Sequence, residues 1–359
     1  MDRDGNAYIT GLTESTNFPT IHALQALPPG NGIFKTTSSG DNWLPSSSGL
    51  TNGDIRAFAL DPSNPALIYA GTNGGGVFLS SDAGQTWNPT NMGLTNSVVR
   101  ALVTDPLKSA ILYAGTDGGI FKSADGGATW TASSTGLTNL AIRSMVVDRE
   151  KPATLYAATA IADGGGVFIS TDGGAHWNLS NEGLEGVQVI HLAIDPKDPS
   201  ILYAGTARNG LSKSTDGGAS WHQSNAGLPV GYNGRRDIQT IEIDPATPST
   251  LYASVSYFPD VGYSVSEVYK STDAGMSWSF SSSGIAGAYA FAIDPVTTGT
   301  LYAATGSGVY KSVDGATWQP TGLNRGYVYA IALDPTAPAT LYAGAVRYPI
   351  SAFVAKISS

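Results

Sequence analysis

Three arginines, Arg56, Arg100 and Arg143, stand at the same place in successive copies of a repeated segment, each five residues before an aspartate. A guanidinium is always charged and presents a planar fork of donors, so three brought together can grip a carboxylate or sulfate bidentately. At the same place the later copies carry Ile190, Gln239, Tyr289 and Tyr329. A tyrosine ring has an apolar body and a polar tip, a combination that stacks on a sugar or packs on a peptide. Two longer segments add similar chemistry: residues 229–237 with Arg235, Arg236 and Asp237, and residues 256–267 with Tyr257, Phe258, Asp260 and Tyr263. Long loops on a compact scaffold are where binding concentrates. These residues are the candidate ligand-binding set; the competing expectation is a ring of polar groups that merely hydrates a channel.

A second pattern carries more carboxylates and promises less. The octet Ser-x-Asp-x-Gly-x-(Thr/Ser)-Trp occupies residues 80–87, 123–130, 214–221 and 271–278, and 170–177 with His176 in the Thr position. Two copies are altered: residues 36–43 carry Ser38 in place of the aspartate, and residues 312–318 are one residue short around Asp314. Repeated carboxylates beside hydroxyls are raw material for acid–base or metal chemistry. A short Asp or Ser in a Gly-rich turn, however, ordinarily accepts bonds from nearby backbone N–H groups. An arrangement present in every copy is also a poor mark of a unique site. Asp82, Asp125, Asp172, Asp216, Asp273 and Asp314, with Trp43, Trp87, Trp130, Trp177, Trp221, Trp278 and Trp318, are therefore read as structural.

No metal, cofactor or catalytic residue is expected. His22, His176, His191 and His222 lack i, i+4 spacing and fall on different copies or a flank, which argues against zinc. Residues 2–6 echo the start of a calcium loop without its later glutamate. Cysteine is absent, which removes thiolate chemistry and disulfides together. A glycosidase needs two carboxyl groups ~5 to 10 Å apart. The loop candidates are Asp54, Asp117, Asp163, Glu185, Asp237, Asp260 and Glu267, and spacing selects no pair among them.

The elements that position these groups follow from the repeat. Successive tryptophans lie 44, 43, 47, 44, 57 and 40 residues apart, the period of a four-stranded propeller blade. Within one unit, strands are expected at residues 56–60 (a), 67–72 (b), 76–80 (c) and around Trp87 (d), each short, β-prone and bounded by Gly, Pro, Asn or Asp. Almost no helix is expected. The first octet brings only strands c and d, and the last unit only a and b. Six complete units lie between, so the fold class is an all-β, seven-bladed β-propeller of four-stranded blades, closed by pairing N- and C-terminal strands, with eight blades as the fallback. Closure removes the open edges on which sheets aggregate. The d-to-a and b-to-c loops then share the face opposite the octets, and the arginine ring stands at the channel mouth on that face.

Composition narrows the partners. The 359 residues carry a net charge of −9 with 19 basic residues scattered along the chain, so no positive field draws in nucleic acid or an anionic membrane. No apolar run approaches the ~20 residues of a membrane helix, and a monomer is expected.

The octets, and the Asp-Pro-x-x-Pro segments leading to Leu-Tyr-Ala, resemble the Asp-box, or BNR-repeat, propellers over about residues 32–345. That set includes sialidases, sortilin-like receptors, xyloglucan-degrading glycosidases and a photosystem II assembly factor. The resemblance implies the fold and leaves the activity open, because one scaffold serves many functions. It offers little support for sialidase chemistry: the Arg-Ile-Pro opening is missing, the arginines occupy equivalent repeat positions, and no Tyr-Glu pair can be assigned. Xyloglucan hydrolases use paired carboxylates between two propellers, and one ring is expected here. The flanks, 1–30 and 346–359, resemble the two halves of an SBBP-type propeller repeat, in Asp4-Gly5-Asn6-Ala7-Tyr8-Ile9-Thr10-Gly11 and Ala352-Phe353-Val354-Ala355-Lys356-Ile357. The expectation is a ring at 31–345 inserted into another propeller of a longer, secreted bacterial protein. Its expected role is non-catalytic binding of carbohydrate or protein. The alternatives are a polysaccharide-active hydrolase or lyase, and an assembly factor docking a protein through the arginine face.

Overall fold

The computed structural model of the chain describes residues 7–12, 31–159, 165–184, 187–260, 263–297, 299–324, 326–346 and 352–357; for 7–12, 233, 260 and 352–357 the description is of the backbone. Seven four-stranded antiparallel sheets form the ring, each with its strands in the order a-b-c-d. Strands a are Ile55–Leu60, Val99–Asp105, Ile142–Val147, Val189–Ile194, Asp237–Ile243, Ala290–Ile293 and Tyr327–Leu333, which we number blades 1 to 7. Blade 7 takes a and b from the C-terminal side and c and d, Gly32–Thr36 and Leu44–Pro45, from the N-terminal side. Leu341–Val346 pairs antiparallel with Gly32–Thr36, setting Ile33 opposite Gly344, and so closes the ring. The expected seven blades are present. Outside the ring, Ala7–Leu12 pairs antiparallel with Ala352–Ile357. Among the described residues the only helical element is a three-residue 3-10 turn, Tyr232–Gly234, and no helix is long and apolar enough to cross a membrane.

One expectation needs correction. Strand d does not centre on the tryptophan; it is two residues just after it, Asn88–Pro89 in blade 1. The cause is that Trp87 bonds outward. Its backbone N–H donates to the Ser48 carbonyl (2.8 Å) and its indole Nε1 to the Ser46 carbonyl (2.7 Å), both in the preceding blade. The same indole bond links Trp130 to Thr90, Trp177 to Ser133, Trp221 to Ser180, Trp278 to Ser224 and Trp318 to Ser281. The tryptophan is thus a staple between blades and cannot also sit in its own ladder.

The core lies between blades. In the Leu-Tyr-Ala strands b, such as Leu202–Thr206, every residue is buried. Blade-to-blade contact follows volume at most joints, although Gly71 meets the smaller Val99. A Cβ on Gly115, Gly205 or Gly344 would stand 2.6, 2.7 or 2.4 Å from Ile142, Ile238 or Ile55 of the next blade. Where strand b carries Ala158 or Ala304 instead, the facing residue is the smaller Val189 or Val328. Glycine here allows close approach, because interiors packed at crystal density leave no room for an extra methyl.

Candidate functional site

The octets come first because they hold most of the carboxylates. In blade 1, Asp82 Oδ1 accepts from the Ser80 hydroxyl (2.8 Å) and the Thr86 N–H (2.8 Å), and Oδ2 from the Thr86 hydroxyl (2.6 Å). The turn needs Ala83 at φ 57° and Gly84 at φ 84°. Asp125, Asp172, Asp216 and Asp273 repeat the pattern, with the His176 ring (2.8 Å) replacing the hydroxyl at Asp172. The short octet still closes, Asp314 Oδ1 accepting from the N–H groups of Ala316 and Thr317 at 2.8 and 2.7 Å. In the first octet Ser38 Oγ accepts from the Asn42 N–H (3.0 Å) in the aspartate's stead. Donors from the neighbouring hydroxyl and backbone hold Asp82, Asp125, Asp216 and Asp273 down at about 2. These carboxylates spend their lone pairs on the turn itself, and no group of three or more metal-ligating side chains occurs among the described residues. The octet turns also bond to the a-to-b turns, as in Ala83 N–H to Ala66 O (3.0 Å), which places both on one face.

On the other face the seven ring residues meet. Arg56, Arg100, Arg143, Ile190, Gln239, Tyr289 and Tyr329 all line one cavity of ≈ 350 Å³ at the channel mouth. Their orientation comes from a repeated irregularity. In blade 1 the a–b register steps from Ile55 opposite Thr72 to Ala57 opposite Gly71, leaving Arg56 as the extra residue of a β-bulge. Arg100, Arg143, Ile190, Gln239 and Tyr329 are the extra residues of their own bulges, and Tyr289 immediately precedes strand a of blade 6. A bulge re-aims one side chain without breaking the sheet, and here it turns each one into the lumen. The residue types are visible in the sequence; the bulge is not.

The arginines are not free cations waiting for an anion. Arg56 pairs with Asp54 (Nε to Oδ1 2.8 Å), which also accepts from Asn73 Nδ2 (2.8 Å). Arg100 and Arg143 share Asp117, at 3.2 and 3.1 Å. At the rim of the mouth three guanidiniums against Asp54 and Asp117 leave one positive charge in excess, with Glu242 deeper in the same cavity. Asp54 and Asp117 were legible as loop carboxylates, while their role as arginine partners was not. Across the mouth the tyrosines cluster: Tyr289 and Tyr329 lie 5.0 Å apart between ring centroids, Tyr327 stacks on Tyr329 at 6.1 Å, and the Arg56 guanidinium lies 3.9 Å over the Tyr329 ring. Tyr327, absent from the sequence-derived set, also lines an adjoining cleft of ≈ 450 Å³ with Gln239, Ser254, Ser256, Ser266 and Ser307.

The remaining predicted residues are placed elsewhere. Arg235 forks onto Asp237 (3.3 and 3.2 Å), and Asp237 Oδ1 accepts the Arg208 N–H at 2.6 Å. Arg236 lies along Gly210, its backbone bridging to Asn209. This cluster ties blade 5 to the loop of blade 4 and lines neither cavity. The segment at 256–267 extends strands b and c as a hairpin, in which Glu267 accepts from the Tyr257 and Tyr269 hydroxyls at 3.1 and 2.9 Å, while Tyr263 and Phe258 stay exposed. Asp163, Glu185, residues 2–6 and His22 lie outside the described residues, as does the Asp260 side chain.

Below the mouth stand two groups that spacing did not single out. His191 lines the upper cavity, and burial pushes its imidazole down to about 4. Glu242 lines both this cavity and a lower one of ≈ 270 Å³, and burial pushes its carboxyl up to about 7 against the opposing pull of Arg149.

No family model and no curated protein matches the chain. Solved structures do. The GH74 xyloglucanase from Xanthomonas campestris superposes with a TM-score of 0.67 at 20% identity, over 85% of this chain and 52% of that one. An ancestral GH74 enzyme gives 0.58 at 22% identity, over 78% and 37%. YCF48 bound to D1 peptide gives 0.59 at 15% identity, over 84% and 96%. The likeness is one of fold. The chain spans about half or less of the GH74 structures and nearly the whole of YCF48.

Proposed function

We propose that this chain is a non-catalytic binding module of the Asp-box propeller type, whose ligand is a carbohydrate seated at the channel mouth opposite the octets. The observation that carries the reading is that one side chain from each blade, six of them set by a β-bulge, lines a single cavity. Stacked tyrosines, a hydroxyl-lined cleft beside them and one excess positive charge suit a sugar bearing a carboxylate or sulfate. Among the described residues the loop carboxylates give little support for hydrolysis: Asp54, Asp117 and Asp237 are tied to arginine and Glu267 to two phenols. Glu242 lower in the same cavity can hold a proton, but a glycosidase needs a second free carboxyl beside it. The ring fits the role of a monomeric domain within a longer secreted protein, its flanks forming part of a second, SBBP-type repeat.

A second reading, docking of a protein, draws on the exposed Val230, Tyr232, Phe258 and Tyr263 and on the likeness to YCF48, which was solved with a peptide. A glycan and polysaccharide array separates the two. Wild type is expected to retain an acidic glycan, and the triple variant Arg56→Ala, Arg100→Ala, Arg143→Ala and the pair Tyr289→Ala, Tyr329→Ala to lose it, with tryptophan fluorescence unchanged. Absence of any glycan binding by wild type would sink the carbohydrate reading and leave the protein one.

A further inference from the structure

In every blade one strand-a position pairs with the tyrosine of Leu-Tyr-Ala, and in blades 2 to 5 it lines the lower cavity. It carries Ala59, Val103, Val146, Ala193, Ala292 and Ala332, and in blade 5 Glu242 opposite Tyr252. Glu242 is thus the one carboxylate at a position otherwise filled by small apolar side chains, and it is partly exposed to the channel. It has no hydrogen-bond or ion-pair partner among the described residues, and the charge nearest in effect is Arg149, exposed at the lower rim and beyond ion-pair distance. An unpaired carboxylate in such surroundings is costly and is relieved by an incoming cation. The neighbouring strands offer none: blade 4 presents His191, held neutral by burial, and blade 6 presents Ala290 and Ala292. A single carboxylate also falls short of a metal site, since hard cations gather several oxygens.

We propose that the lower half of the channel binds a short ω-amino acid group, its ammonium on Glu242, its alkyl chain along the channel wall and its carboxylate on Arg149. The site lies below the mouth, shares Glu242 with the cavity there, and does not depend on the carbohydrate reading. The cavity of ≈ 270 Å³ is lined by Glu242 and Arg149 and by the hydrocarbon of Val103, Val146, Leu192, Ile194 and Ile243. Two opposite charges in one apolar-walled cavity, with Arg149 beyond the C-terminal end of its strand a and Glu242 within its own, are the complement of an alkyl chain with unlike ends. The volume lies just under the roughly 300 Å³ at which drug-sized sites begin, which suits a small ligand. The same chemistry is offered by a free ω-amino acid or by the C-terminal lysine of a partner, whose side-chain ammonium reaches inward while its terminal carboxylate stays at the rim.

Titration calorimetry on the full chain tests this with 6-aminohexanoate at about pH 6 and pH 8. Binding tighter than that of hexylamine or hexanoate by roughly tenfold or more, about 1.4 kcal/mol, is expected. It should strengthen at the higher pH, where Glu242 is already ionised. Glu242→Gln and Arg149→Ala should each lose roughly tenfold, whereas the triple arginine variant of the mouth should bind unchanged. A peptide ending in lysine that competes, where its amidated form does not, assigns the ligand to a partner; failure of both peptides assigns it to the free molecule. No binding of 6-aminohexanoate, equal binding of hexylamine, or binding that survives Glu242→Gln would overturn the proposal. Glu242→Gln keeps the side-chain shape, and urea unfolding no easier than that of wild type confirms that loss of binding is not loss of fold.

Discussion

The octet turns and the channel mouth lie on opposite faces and use the repeat in opposite ways. In the octets the copies agree: Ser, Asp, Gly and Trp recur at fixed offsets, and even the altered copies close the same hydrogen bonds with Ser38 or Asp314. At the mouth the copies differ: one bulged position carries Arg, Ile, Gln or Tyr. Agreement among copies marks what each blade needs in order to pack on the next. Difference marks what the assembled ring can recognise, since a ligand on the axis meets all blades at once.

The largest effects should come from breaking the agreeing side. Trp177 is buried and donates to the Ser133 carbonyl at 2.8 Å, so Trp177→Ala should cost about 3–5 kcal/mol in urea unfolding. Trp43, half-buried and bonded only to the Thr321 hydroxyl at 3.2 Å, should cost clearly less, and an equal cost would refute the staple argument. Next in size is Gly205→Ala, whose Cβ would meet Ile238 Cγ2 at 2.7 Å. Overpacking of this kind costs roughly 1–3 kcal/mol. Adding Ile238→Val should recover part of it, because Ala with Val is the pairing used at Ala158 and Val189. If the double variant is no better than the single, the volume matching between blades carries no energy.

A pH series sharpens the contrast between scaffold and lumen. The octet aspartates have folded values near 2, below the ~3.9 of an unfolded Asp. Their contribution is present above about pH 4 and fades as the pH falls towards 2, so Tm should drop steeply over that interval and less steeply in Asp125→Asn. Glu242 behaves in reverse. Its folded value, about 7, exceeds its ordinary 4.5, so stability is lost as pH rises through that window. Glu242→Gln should therefore melt above wild type at pH 8 and match it at pH 4; a difference of the same size at both would mean that the carboxyl is not desolvated.

How much of this was legible in sequence follows the same division. Blade number and closure were readable because they rest on repetition. The two-residue strand d was missed because the tryptophan's bonds to the preceding blade are tertiary, and no local pattern records them. The pairing of Arg100 and Arg143 through Asp117 was missed because it joins residues of two blades. Glu242 and His191 carried a signal that went unused. Each is the one titratable residue at a lumen position filled elsewhere by Ala, Val, Ser or Thr, and aligning the copies by register exposes both.

The smallest expected change in stability makes the sharpest test of the mouth. Asp117 is about one-third exposed and lies between Arg100 and Arg143, and ion pairs this open contribute roughly 0–1 kcal/mol. Asp117→Asn should therefore unfold within about 1 kcal/mol of wild type, yet it changes the excess charge at the mouth from one to two and frees two guanidiniums to turn towards a ligand. Affinity for a carboxylated or sulfated glycan should rise, most visibly at low salt, where screening is weakest. If affinity falls instead, Asp117 is holding the arginines in the orientation the ligand needs, and the pairing is preorganisation. If it does not move at all while Tyr329→Ala still abolishes binding, the ligand rests on the tyrosine side alone, and the three arginines belong to the fold with the octets.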